Sequence, residues 1–152
     1  MTNSLNPVFG EWYTDKQLGT GTDGKVFSIY REKYDGTRER AMLKIIRLGE
    51  NRNERKQFSS EGVFTGETED EYYDKIIADI TKRIEAIKNS DNGKYFVRYE
   101  DVELRRASDG KGRLILIRLE NCRSLSDLLK DISFTADEVL RLAVNICRCL
   151  VK

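Results

Sequence analysis

The chain contains no histidine and only three cysteines among its 152 residues, so it has few of the side chains that bind transition metals. Cys147 and Cys149 lie two residues apart, and the third cysteine is distant in sequence. An odd number of cysteines also does not form a closed disulfide framework. We therefore predict free thiols and no metal site.

Long apolar runs are also absent, since no stretch reaches the ~18–20 apolar residues that a membrane-spanning helix requires. The first nine residues lack the apolar segment of a secretory signal peptide. Lys and Arg number 27 and Asp and Glu 26, and the net charge of +1 provides no field that would attract nucleic acid or an anionic membrane. The sequence predicts a cytoplasmic protein that binds neither.

Three strands are predicted in residues 13–48. The first leads into a glycine-rich turn, and the second shows apolar and polar residues in alternation. Asp35-Gly36 is a strong hairpin signal between the second and third strands. Residues 49–67 are polar and show no period, so we predict a mobile connection there.

A helix is predicted from Thr68, because Thr68 and Glu71 have the spacing of a capping box. Its isoleucines recur at intervals of three and four residues, which places them on one buried face. Asn89 to Asn92 ends this helix. The isoleucines concerned are Ile76, Ile77, Ile80, Ile84 and Ile87.

Two more strands follow near residues 95–107 and 113–120, and then two helices. Ser124 and Asp127 cap the short helix, and Thr135 and Glu138 form a second capping box before a helix that reaches residue 152. Most of the strands are joined by hairpins. The sequence therefore predicts an α+β fold, in which a five-stranded antiparallel sheet carries one packed helix and two further helices follow.

The glycine-rich segment, LGTGTDGKV, places Gly19, Gly21 and Gly24 at the G-x-G-x-x-G spacing. Such glycines allow backbone N–H groups to face a phosphate without a Cβ in the way. A dinucleotide-binding turn needs a helix directly afterwards, and a P-loop needs Ser or Thr after Gly-Lys, where Val26 stands. Two interpretations stay open: an ordinary glycine-rich hairpin, or the phosphate-binding hairpin of a protein kinase.

Lys44 lies within the third strand among apolar neighbours, including Leu43 and Ile45. Burying an ammonium group without a partner is costly. An exposed lysine at the edge of the sheet is the alternative. Because a glycine loop precedes it by about twenty residues, we favour a lysine that contacts phosphate.

On these features the chain resembles the protein-kinase family, and specifically bacterial Ser/Thr kinase-like domains, over about residues 10–152. The three glycines and Val26 match the glycine loop, and Lys44 matches the third-strand lysine that contacts the α- and β-phosphates in the family. YFVRYEDVEL resembles the fourth strand after the regulatory helix, and LILIRLENC resembles the fifth strand and hinge. SLSDLLKD and FTADEVLRLAVNICRCL resemble the first two helices of the large lobe.

The resemblance implies an ATP site between a small-lobe-like domain, residues 1–121, and a hinge with partial large-lobe helices, residues 122–152. In this site Leu119 is the gatekeeper, the backbone of Glu120 accepts from the adenine amino group, and the backbone of Cys122 donates to the ring. The implied nucleotide-binding residues are Leu18, Gly19, Gly21, Gly24, Val26, Met42, Lys44, Leu119, Glu120 and Cys122.

Several residues depart from the family pattern. Met42 stands where the family usually has an alanine above the adenine, which predicts a tighter pocket, and Asp23 places a carboxylate at the loop tip. Glu85 is the candidate for the helix glutamate that pairs with Lys44, although another register places Arg83 or Ile84 there.

The catalytic motifs are missing. The chain has no Arg-Asp dipeptide and no Asp-Phe-Gly, so it lacks the family's base and metal ligands. Without these groups the γ-phosphate cannot be transferred. We expect ATP binding without phosphorylation, with Mg²⁺ held only when a large lobe is supplied. The alternative is a non-catalytic kinase-like interaction or dimerisation module.

The predicted final helix has a wide apolar stripe, which in an intact kinase would pack inside the large lobe. Each large apolar side chain left in water forfeits about 1.5–3 kcal/mol. The stripe therefore predicts self-association or a protein partner, with folding back onto Leu125, Leu128 and Leu129 as the alternative. It consists of Val139, Leu140, Leu142, Ala143, Ile146, Cys147, Leu150 and Val151.

Overall fold

The computed structural model describes residues 5–21, 24–49, 68–91, 97–108 and 112–150. In these ranges five strands form one antiparallel sheet in the order β1-β2-β3-β5-β4, which confirms the predicted α+β fold. Most of the predicted mobile connection, residues 50–67, lies outside the described residues. The strands are β1 (Tyr13–Gly21), β2 (Gly24–Glu32), β3 (Arg38–Leu48), β4 (Tyr99–Arg106) and β5 (Arg113–Glu120), and the helices are α1 (Glu69–Asp91), α2 (Leu125–Asp131) and α3 (Ala136–Leu150).

The turn between β2 and β3 follows from the Asp35-Gly36 signal. Gly36 has a φ of +78°, a conformation that costs glycine little. The Thr37 amide donates to Asp35 Oδ1 at 2.9 Å, and the Lys33 amide donates to the Thr37 carbonyl at 2.8 Å. These contacts confirm the predicted hairpin.

Both predicted capping boxes are formed. The Thr68 amide donates to Glu71 Oε2 at 2.8 Å, and the Glu71 amide donates back to Thr68 Oγ1 at 3.3 Å. Thr135 and Glu138 make the same two contacts at 2.8 and 3.3 Å before α3. Each box satisfies backbone donors that a helix start leaves open.

Helix α1 covers one face of the sheet. Ile77 and Ile84 are buried against β5 residues, and the other predicted isoleucines of α1 are half-buried. Tyr73 is also buried on this helix, which the isoleucine pattern did not predict. Within the described residues, no helix has the length and apolar character needed to cross a membrane.

The opposite face of the sheet is covered by residues 5–12, which we call the N-terminal strap. Val8 and Trp12 exchange backbone hydrogen bonds of 2.8 and 2.9 Å, and both side chains are buried against the sheet. Arg105 fastens the strap by donating to the carbonyls of Leu5 and Pro7 at 2.5 and 2.7 Å. The sheet therefore has one apolar cluster under α1 and another under the strap.

Helices α2 and α3 keep much of their apolar surface in water. Helix α2 has no buried residue, and its Leu125 and Leu129 are exposed. On α3 four large apolar side chains are exposed as well, so the described part of the stripe is not covered by folding back onto α2. The four are Val139, Leu140, Val144 and Ile146.

Candidate functional site

The strand register aligns the glycine turn with Lys44. Gly19 pairs with Val26, Val26 pairs with Lys44, and Lys44 pairs with Ile117. Directly opposed residues in antiparallel strands project to the same face of the sheet. Because Ile117 belongs to the cluster under α1, Lys44 lies on the α1 face together with Val26. With strands about 4.8 Å apart, the backbones of Lys44 and Gly19 are separated by about 10 Å.

The three glycines have different structural roles. At Gly24, with a φ of +135°, a Cβ would lie 2.1 Å from the Ile45 carbonyl oxygen, so the fold itself requires glycine there. Among the described residues, a Cβ at Gly19 would meet no atom within 4 Å, and one at Gly21 would meet only the Gly24 oxygen at 4.0 Å. The contacts of the described residues therefore do not require glycine at positions 19 and 21. Asp23, at the tip of the loop, lies outside the described residues.

Lys44 has no carboxylate partner among the described residues. It is half-buried, and no described acidic side chain lies within ion-pair distance of its ammonium group. Glu85 is exposed, and Arg83 is exposed and paired with Asp79 at 2.8 Å. Ile84, only 5% exposed, occupies the position of α1 that faces the sheet. Of the three helix positions considered for the partner, the structure directs the isoleucine inward, and no Lys44–Glu85 pair is formed.

Met42 and Leu119 lie side by side one pleat along from Lys44. They are directly opposed in the β3–β5 register, and both contribute to the cluster under α1. Leu119 is 6% exposed and Met42 is half-buried. These positions are the ones that the resemblance assigns to the gatekeeper and to the residue above the adenine. Leu18 is exposed on β1, at an irregularity of the β1–β2 register between Gln17 and Gly19.

Ser28 was not selected from the sequence. It is the buried polar residue of β2, opposed to Met42 and therefore on the same face. Its position could have been found from the sequence Val26-Phe27-Ser28, because residues two apart in a strand share a face and Ser28 therefore lies on the same face as Val26. A hydroxyl in this position adds a hydrogen-bonding group to an otherwise apolar surface.

Glu120 ends β5, and its carboxylate is turned toward Arg98. It accepts from the Arg98 amide at 2.9 Å and from the Arg98 guanidinium at 3.1 Å, and these bonds lower the pKa of Glu120. The side chain is therefore engaged within the fold. Residues 121–124 continue without regular structure to α2, and the resemblance places the hinge in this connection.

Cys122 lies in this connection as a free thiol. Cys122 is an exposed residue, but partial desolvation of its sulfur raises the pKa of the Cys122 thiol, and the negative charge of Glu120 raises it further. A raised thiol pKa reduces the thiolate fraction at neutral pH, and the thiolate is the nucleophile. The raised pKa therefore lowers the nucleophilicity of the Cys122 thiol at neutral pH, while the residue stays accessible to solvent.

We expect Cys122 to be alkylated slowly by iodoacetamide at neutral pH, with a pH midpoint above the ~8.5 of an unperturbed cysteine. Peptide mass spectrometry across a pH series measures the midpoint. Glu120→Gln removes the carboxylate charge and should lower the midpoint, while partial desolvation of the sulfur keeps part of the shift. A midpoint at or below that of a free cysteine would show that neither desolvation nor the charge of Glu120 raises the pKa of the Cys122 thiol.

Comparison with protein-family models and with curated proteins finds no match for this chain. Within the described residues no group of three or more His, Cys, Asp or Glu side chains could hold a metal ion.

Proposed function

We propose that the chain binds ATP on the α1 face of its sheet, in the manner of the small lobe of a Ser/Thr protein kinase, and that it transfers no phosphate by itself. The observation that carries the proposal is the strand register, which puts Val26, Met42, Lys44 and Leu119 on one face beside the glycine turn. The helix between β3 and β4 covers that same face, as the resemblance implies.

The charges on this face support a polyphosphate ligand. The Lys44 ammonium projects from a mostly apolar surface, and no described carboxylate neutralises it. A phosphate could supply the missing negative charge. The backbone N–H groups at Gly19 and Gly21, which no described side chain covers, could donate hydrogen bonds to it. Met42 and Leu119 would contact the base, with Leu18 and Val26 beside them.

The proposal includes the two-part division of the chain, with a small-lobe-like unit in residues 1–121 and a hinge with partial large-lobe helices in residues 122–152. The backbones of Glu120 and Cys122 would bind the adenine edge at the junction. Mg²⁺ would bind only when a large lobe supplies its ligands. A cytoplasmic location belongs to the same proposal, since free thiols persist in a reducing compartment.

Calorimetric titration with ATP and Mg²⁺ tests the proposal, with a Lys44→Ala variant. We expect saturable heat from the parent protein and about 10- to 150-fold weaker binding in the variant, which is the loss of a charged hydrogen bond worth about 1.5–3 kcal/mol. Circular dichroism verifies that the variant is folded.

Lys25→Ala is the matched control for this titration. Lys25 is an exposed neighbour on β2, opposed to Ile45, and its register places it on the strap face. Its removal changes the net charge by the same amount and should leave the affinity unchanged. Absence of heat from the parent, or equal losses in both variants, would contradict an ATP site at Lys44.

The second candidate function is a non-catalytic kinase-like interaction module. It is favoured by the exposed apolar side of α3, where each large side chain left in water forfeits up to about 1.5–3 kcal/mol. A folded protein that gives no heat with ATP, in the parent and in Lys44→Ala, would support it over nucleotide binding.

A further inference from the structure

Ser28 is a buried polar residue on the α1 face of the sheet. The β2–β3 register puts Ser28 opposite Met42, and the β3–β5 register puts Met42 opposite Leu119. The three side chains therefore form a row across three strands. Along the strands this row lies two residues, or about 7 Å, from the row that contains Lys44.

The Ser28 hydroxyl has no hydrogen-bond partner in the part of the chain that the structure describes. Ser28 is only 8% exposed, and its neighbour in the row, Met42, has an apolar side chain. Burying an unpaired hydroxyl is unfavourable, so the ligand-free fold gains nothing from this group. Unpaired polar groups that a native structure retains in its interior are expected at functional sites.

We propose that the Ser28 hydroxyl binds the nucleoside part of ATP by a hydrogen bond. This inference rests on the proposed function, which puts phosphate at Lys44 and the adenine beside Met42 and Leu119. Ser28 then supplies a polar contact in a base site whose other side chains are apolar, and it selects for a nucleotide that carries a matching polar atom.

The strand order indicates which side of the nucleoside faces Ser28. Strand β5 ends at Glu120, where the proposed backbone contacts bind the amino edge of the adenine, and β2 lies on the other side of β3. The adenine edge that points away from Glu120 is the five-membered ring, and the ribose is attached to that ring. Ring nitrogen N7 and the ribose 2′-oxygen are the hydrogen-bonding atoms on this side.

Calorimetric titration of the Ser28→Ala variant with ATP and Mg²⁺ tests the contact. We expect about 2- to 12-fold weaker binding than in the parent protein, which is the range for one neutral hydrogen bond. An equal ATP affinity of the variant and the parent overturns the inference and leaves the proposed function standing. Absence of heat from the parent overturns both.

Titration with 7-deaza-ATP and with 2′-deoxy-ATP identifies the contacted atom. The analogue that lacks this atom should bind the parent as weakly as ATP binds Ser28→Ala, and it should bind the two proteins equally. An equal loss for all three nucleotides in Ser28→Ala would mean that the hydroxyl contacts neither atom, and it would overturn the inference.

Unfolding of the ligand-free protein in urea gives a second test. Because the hydroxyl is unpaired, Ser28→Ala should have an unfolding midpoint equal to or above that of the parent. Ser124→Ala makes the same chemical change at a bonded hydroxyl, which accepts from the Asp127 amide at 3.0 Å, and should lower the midpoint. A lower midpoint for Ser28→Ala would show that the hydroxyl already has a partner within the fold, and it would overturn the inference.

Discussion

Replacing Gly24 by alanine is expected to destabilise the fold by about 2–4 kcal/mol. The new Cβ would lie 2.1 Å from the Ile45 carbonyl oxygen, and the φ of +135° at this position is rarely adopted by residues with a side chain. Relief would require β2 and β3 to separate at the end that carries the glycine turn. Urea unfolding followed by circular dichroism measures the change.

Gly19→Ala is the informative control for this effect, because it makes the same chemical change in the same loop. Its Cβ meets no atom of the described residues within 4 Å, so the free energy of unfolding should stay within about 0.5 kcal/mol of the parent value. If ATP approaches the backbone there, Gly19→Ala should instead weaken ATP binding. Equal destabilisation by both variants would show that Gly19 has a structural role, as in an ordinary hairpin.

Replacing Trp12 by alanine should cost about 3–5 kcal/mol, a large fraction of the ~5–15 kcal/mol that stabilises a typical domain. The indole is 2% exposed and packs into the cluster under the strap. Its ring centroid also lies 5.0 Å from the Arg31 guanidinium carbon and 4.9 Å from that of Arg118, so both cations lose an aromatic contact.

Tyr34→Ala provides the comparison for the Trp12 variant, since Tyr34 is a fully exposed aromatic residue in the β2–β3 turn. Its replacement should change stability by no more than about 0.5 kcal/mol. Both variants are measured by urea unfolding with circular dichroism, because Trp12 is the chain's one tryptophan. A Trp12→Ala protein as stable as the Tyr34→Ala protein would mean that the strap does not contribute to the core.

The strands and helix starts were predictable because their signals are local. Asp35-Gly36 forms its turn with neighbouring residues, and Thr68 is capped by Glu71 three residues away. The strap had no such signal. Arg105 bonds to the carbonyl of Leu5 across 100 residues of sequence, and no periodicity within residues 5–12 indicates that contact.

The sequence proposes residues for the candidate site but does not give their arrangement. The sequence selected Lys44 and the glycines, whereas only the strand register shows which of them share a face. Which α1 residue faces Lys44 depends on how the helix is rotated about its axis, and a shift of one residue exchanges Ile84 for Glu85. The apolar cluster under α1 fixes this rotation, because it buries Ile84. The separate roles of Gly24 and Gly19 depend on contacts with β3, which the glycine spacing alone does not contain.

Lys44 also affects the register of strand β3, and this effect does not depend on a ligand. Strand β3 is apolar on both sides between Ala41 and Ile46, so hydrophobic alternation alone would tolerate a slip of one residue. Such a slip would turn the ammonium into the cluster beneath Trp12, where burial without a counter-charge is costly. Lys44 thus helps to specify the register in which the central strand β3 pairs with its neighbours.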